Sequence, residues 1–140
     1  MAPRSTSFRL SDEARVRLSR RAAFEGVSAT TLMERLILEG IDTLEHAGIV
    51  FRGPPHDRRA ALAGGPDVWE VVSRLRELRG REEQRIATLS EESELHARQI
   101  RLALDYASTR AEEIEARIER QTAAVAQSQA AAERRAALLG

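Results

Sequence analysis

The chain has 140 residues, and its 22 cationic side chains, every one an arginine, balance 22 acidic ones to a net charge of zero. Aromatic residues are only 4% against 31% charged ones, a composition that suits small helical units better than a sandwich or barrel. The absence of cysteine excludes disulfides and thiolate metal sites, and no apolar run approaches a membrane span or a signal peptide, so a cytoplasmic protein is expected.

The charge is unevenly spread. Residues 1–22 carry six arginines against two acidic side chains, and residues 23–48 carry one arginine against five. A basic end followed by an acidic segment is the asymmetry of a small domain that turns one edge toward phosphate.

Ser5 to Leu10 alternate with a period of two, which puts Thr6, Phe8 and Leu10 on one side of a short strand and Ser5, Ser7 and Arg9 on the other. Ser11 is an N-cap, followed by Asp12 and Glu13 where the helix dipole favours acids. Ala14, Leu18 and Ala22 recur at one-turn spacing, and Gly26 ends that helix. Ser28 caps a second helix with an apolar face of Leu32, Leu36, Ile37, Ile41 and Leu44. A lone six-residue strand has no partner for its backbone groups, and two short helices bury too little to fold alone, so two copies of the strand must pair in a dimer.

This strand–helix–glycine turn–helix order, carried by Thr6-Ser7-Phe8-Arg9-Leu10-Ser11 and Gly26-Val27-Ser28, resembles the ribbon-helix-helix family of DNA-binding proteins. The resemblance implies that the paired strands enter the major groove with Ser5, Ser7 and Arg9 on base edges. It also implies that Ser28, with the amides of Ala29 and Thr30, holds a phosphate. Arg9 suits a bidentate contact to guanine, whereas two serines discriminate poorly between bases. The bland alternative is a dimerisation domain that never touches DNA.

Further along, Ile49–Arg52 reads as a short strand, Gly53-Pro54-Pro55 as a turn, and Arg58 to Leu62 as a returning strand. Arg58 and Arg59 are either phosphate contacts or an ordinary solvated loop. After Gly64-Gly65-Pro66, Asp67 with Glu70 forms a capping-box pair opening a helix striped by Val68, Val71, Val72, Leu75 and Leu78, which Gly80 ends. Two more helices are expected at Glu82–Leu89 and Glu94–Ala107, the latter with Ile100, Ala103, Leu104 and Ala107 inward and Arg98, Gln99 and Arg101 outward, compatible with a helix-turn-helix unit. Trp69 is read as a core anchor in preference to a partner contact.

Gly65-Pro66-Asp67-Val68-Trp69-Glu70-Val71-Val72, then Leu102-Ala103-Leu104-Asp105-Tyr106-Ala107 with Glu113-Ile114, make Ile49–Arg120 similar to a small helical domain family found among bacterial antitoxins. That resemblance implies a partner toxin, a PIN-like ribonuclease. The final segment opens on a Thr109/Glu112 capping box, and its apolar residues thin to Ile118, Val125, Ala132 and Leu139, seven apart. Such a stripe is too weak for a strong coiled coil, but a helix of this kind can fold on a partner, with Ile114, Ile118 and Val125 as toxin-binding anchors, or stand frayed in solvent.

No catalytic constellation is present in the sequence. His46, His56 and His96 are isolated, and no phosphate loop, nucleophile elbow or ligand-spaced carboxylate set occurs, so neither an enzyme nor a metal or other cofactor is expected. The expected architecture is mainly α: a dimeric ribbon-helix-helix module over 1–47 (one strand, two helices), a small helix-turn-helix-like domain with a short hairpin over 48–108, and a C-terminal helix over 109–140. The expected function is a type II antitoxin that binds double-stranded operator DNA as a homodimer and neutralises its toxin through the C-terminal half. The alternatives are a stand-alone repressor or plasmid partition or conjugation accessory protein, and a dimerising structural adaptor.

Overall fold

A computed structural model describes residues 3–140. It is mainly helical, with six helices and one two-stranded antiparallel sheet. Helix α1 spans Asp12–Glu25 and α2 spans Ala29–Glu45. Gly26, at φ 72°, turns the chain between them in the left-handed conformation that glycine adopts without strain. Ser11 and Ser28 cap the two helices, their hydroxyls accepting the amide N–H groups of Ala14 and Thr31 at 3.1 Å each.

Residues 3–11 form no strand and are exposed. The expected strand over Ser5–Leu10 therefore has no counterpart in a single chain, because its hydrogen bonds would have to come from a second one.

Strand β1 (Ile49–Arg52) pairs antiparallel with β2 (Arg59–Leu62), Ile49 opposite Leu62 and Arg52 opposite Arg59. Two arginines directly across a ladder repel. Asp67 resolves the conflict: its carboxylate accepts from Arg52 Nη2 at 3.0 Å and Arg59 Nε at 2.7 Å, and also from Trp69 Nε1 at 3.2 Å. Trp69 is thereby a half-buried part of the core rim. Asp67 also starts α3 (Val68–Glu77), its backbone N–H donating to the Glu70 carboxylate at 3.1 Å.

Helices α4 (Glu82–Glu92), α5 (Ala97–Thr109) and α6 (Ala111–Leu139) complete the chain. The fifth begins three residues later than its sequence pattern suggests. His96 is its cap, with Nδ1 accepting the Arg98 N–H at 3.1 Å while Gln99 Oε1 accepts the His96 N–H at 2.8 Å. The Thr109/Glu112 capping box does not form either. The Thr109 hydroxyl donates back to the Tyr106 carbonyl at 2.7 Å, closing α5, and only Arg110 separates α5 from α6.

One core joins the hairpin to α3–α6, built on Ile49, Leu62, Val68, Val71, Ile86, Ile100, Ala103 and Tyr106. At its centre lies α5, packed against α3, α4, α6 and β2. That position does not suit an exposed reading helix. Gln99 is engaged in the cap, and Arg101, although exposed, is bonded to Glu83 at 2.7 Å, leaving Arg98 as the exposed member of the three with no ion pair among the described residues.

Candidate nucleic-acid interface

The N-terminal module leaves the arginines of its first 22 residues exposed, whereas Glu25, Glu39 and Asp42 are drawn inward. Arg4, Arg9 and Arg20 form no ion pair among the described residues, and Arg15 and Arg17 hold only exposed neighbours on α1, Asp12 at 3.1 Å and Glu13 at 3.6 Å. Exposed pairs of this kind are weak and screened by salt, so both guanidinium groups stay accessible to another partner. The acidic side chains of the following segment behave differently. Glu25 is enclosed by Arg35 at 2.8 and 3.2 Å and by Arg21 at 2.6 Å. The hydrogen bonds from Arg35 and then Arg21 hold its carboxyl down at about 2.

Glu39 receives a two-pronged Arg58, at 2.6 and 2.9 Å, and Asp42 receives Arg110 at 2.7 Å. Both arginines come from the far side of the chain. The acidic run after the basic end is thus the attachment for the C-terminal domain. Sequence reasoning missed Glu39 and Asp42 in this role. The signal available was their alignment with Arg35 and His46 at 35, 39, 42 and 46, a polar stripe down one flank of α2. The same contacts settle the two readings of Arg58 and Arg59. Arg58 is taken by Glu39, and Arg59 by Asp67 at 2.7 Å and Asp57 at 3.0 Å, so both are structural ties.

The opposite flank of α2 is apolar and bare. Leu36, Ile37, Ile41 and Leu44 are exposed, Leu44 to 84%. Beside them a groove of about 500 Å³ is lined by Leu10, Ala14, Leu18, Leu32, Met33 and Leu36. An exposed apolar face of this extent on a short helical hairpin is a surface waiting for cover.

Ser5, Ser7 and Arg9 lie together on the exposed N-terminal stretch, with Phe8 75% exposed between them. Ser28, Ala29 and Thr30 stand at the start of α2. Ser28 takes the Thr31 amide, and its hydroxyl donates to Thr31 Oγ1 at 2.8 Å. The amides of Ala29 and Thr30 lie in the first turn, where no intrahelical acceptor exists, and both residues are exposed. Their positive ends are available to an anion.

The three residues expected to anchor a toxin are divided. Ile114 is buried at 6% exposure and Ile118 packs against the core, so neither is a free anchor in this chain. Val125, 55% exposed, is free. Asp57 receives Arg117, and Glu115 receives Arg76, fastening the base of α6 to the hairpin and to α3. Beyond that base the helix runs on exposed, and residues 121–132 carry no charge.

The chain matches no known family, no curated protein and no solved structure, and what can be said of its function comes from its own residues. Among the described residues no helix is long and apolar enough to cross a membrane. Burial pushes the Tyr106 hydroxyl up to about 12, which keeps it protonated and neutral under the Arg110 guanidinium.

Proposed function

We propose that the chain is a homodimeric DNA-binding antitoxin of ribbon-helix-helix type. Its N-terminal module binds operator DNA, and the free length of α6 engages a partner toxin. The observation that carries the reading is the bare flank of α2, Leu36, Ile37, Ile41 and Leu44, lying beside an unpaired, alternating Ser5–Leu10 segment. A second copy laid on that flank covers the apolar surface and supplies the missing strand in one step. The paired strands then present Ser5, Ser7 and Arg9, from each copy, as the row that reads base edges. The exposed amides at Ala29 and Thr30 fit the phosphate on either side. Neutralisation falls to Val125 and the exposed part of α6 that follows it, since Ile114 and Ile118 already serve the core.

Ile41→Asp puts a charge into the shared face without touching the core of the C-terminal domain. Sedimentation should show a wild-type dimer and a monomeric variant at micromolar concentration, and the monomer should lose DNA binding. A wild-type protein that sediments as a folded monomer and binds DNA regardless of Ile41 would overturn the proposal.

A further inference from the structure

The function above leaves one groove unused, where α3 meets α4. Its floor is the apolar edge of the core, Val72 and Leu75 from α3 and Leu104 from α5. Its rim carries Arg76, Gly80, Glu82 and Arg85. The cavity measures about 390 Å³, toward the small end of the roughly 300–1,000 Å³ range of small-molecule sites. Gly80 shapes the rim. Its φ is 106°, and a Cβ there would meet Gln84 Oε1 at 2.5 Å, so only glycine lets the chain turn this tightly against α4. The Gly80 carbonyl accepts from Arg85 Nε at 2.9 Å. That bond holds the guanidinium by its inner nitrogen and leaves the outer pair, Nη1 and Nη2, with no hydrogen bond or ion pair among the described residues. Arg85 is half-buried, yet neither outer nitrogen is shut away from solvent.

A free pair of guanidinium nitrogens matches the two oxygens of a carboxylate, the geometry in which arginine binds most strongly. The neighbouring charges favour an anion too. Arg76 gives both its Nη groups to Glu115, while Glu77 and Glu83 are taken by Arg74 and Arg101. Arg79, Arg81 and Arg85 are left without a carboxylate partner among the described residues, against Glu82 on the rim. The geometry points to a binding site for a small monocarboxylic acid with a short apolar body, its carboxylate on Arg85 and its body on Val72, Leu75 and Leu104. A neutral apolar molecule would desolvate the Arg85 head and leave it unpaired. A cation would meet the surplus of positive charge, and a free phosphate would leave the apolar floor in water. A carboxylate with an apolar body uses both halves of the groove. The site is separate from the surfaces assigned to DNA and to the toxin, and it stands or falls without them.

The test is a titration of the nitrogen-labelled full chain with hexanoate, followed by amide chemical shifts, beside hexanol, hexylamine and acetate. Hexanoate should shift the Gly80, Arg85 and Leu104 amides saturably at millimolar concentration. The other three each lack the acid or the tail and should bind at least about fivefold more weakly. Arg85→Gln should weaken hexanoate about tenfold, the effect of a lost charge-assisted hydrogen bond, and leave hexanol unchanged. Arg79→Gln, outside the groove lining, should change hexanoate binding by less than about twofold. Hexanol binding as tightly as hexanoate would make the groove merely apolar and overturn the assignment. So would shifts that do not saturate, shifts confined to other parts of the chain, or an Arg85→Gln variant that binds hexanoate as the wild type does. The comparison of the four probes on the wild-type chain decides between these results even where Arg85→Gln folds poorly.

Discussion

Replacing Asp67 by alanine would leave two like charges facing each other across the hairpin, with Asp57 as the remaining partner of Arg59 and the Gly65 carbonyl as that of Arg52. Arg52 and Arg59 are cross-strand partners, and the Asp67 carboxylate between them accepts from Arg52 Nη2, Arg59 Nε and Trp69 Nε1. Taking away one member of a buried charge pair costs about 3–5 kcal/mol. Asp67 is 6% exposed, but the Arg52 side chain is 42% exposed and water screens its share. The expected loss for Asp67→Ala is therefore about 2–3 kcal/mol, or a fall of about 5–10 °C in Tm for a chain of this size. Asp67→Asn keeps an acceptor and removes the charge, so roughly half of that loss should remain. Urea unfolding at fixed protein concentration measures it, with Trp69, the one tryptophan, as a fluorescent probe seated on the altered group. Far-ultraviolet circular dichroism gives an independent second curve. A loss below about 0.5 kcal/mol, the scale of an exposed pair, would show that this carboxylate does not offset the repulsion of Arg52 and Arg59 across the hairpin.

Acid should loosen the α1–α2 unit through Glu25. Its folded pKa, about 2, lies below the ordinary 4.5, so the stabilisation is complete above 4.5 and is lost as pH falls from 4.5 through 2. Arg35→Met should move that loss to higher pH, seen as earlier loss of helical dichroism on titration. Ser28→Ala removes the α2 cap and should cost about 1 kcal/mol; it should also weaken binding to all duplexes equally, checked by anisotropy on operator and mixed-sequence DNA. A chain ending after Thr122 keeps Ile114, Ile118 and Arg117 and should melt and bind DNA as the full chain does, yet fail to protect cells expressing the toxin. Full protection by that truncation would move the toxin contact off the free part of α6.

What could be read from the sequence was local. Gly26 and Ser28 announce the α1–α2 turn because cap and left-handed turn are chosen by the residues at the spot. The β1–β2 hairpin and the α3 stripe follow from periodicity and from Pro54-Pro55. The start of α5 was misplaced because histidine is an unusual cap, and Thr109 because its hydroxyl had two backbone neighbours to choose from. The ties that shape the candidate site were out of reach for a different reason. Glu39 finds Arg58 from 19 residues away and Asp42 finds Arg110 from 68 away, and no local signal records such pairings. Nor could spacing distinguish Ile114, which enters the core, from Val125, which does not: both sit on one face of α6, and what separates them is where the body ends. The alternation over Ser5–Leu10 is plain in the sequence, yet the described residues form no strand there, and only the proposed dimer would supply one with a partner.

The single residue between α5 and α6 gives the last helix the character of a lever. At 1.5 Å per residue, α6 is about 43 Å long. Among the described residues it is fastened near its base, through Ile114, Ile118 and the pairs of Glu115 with Arg76 and of Arg117 with Asp57. The arm beyond those fastenings is about 30 Å, so a rotation of roughly 10° at the base carries its tip about 5 Å. That displacement exceeds the reach of a hydrogen bond or of close packing. Small readjustments beside Asp42 and Asp57, too slight to disturb the core, are thereby magnified into a difference between touching and missing whatever lies at the far end.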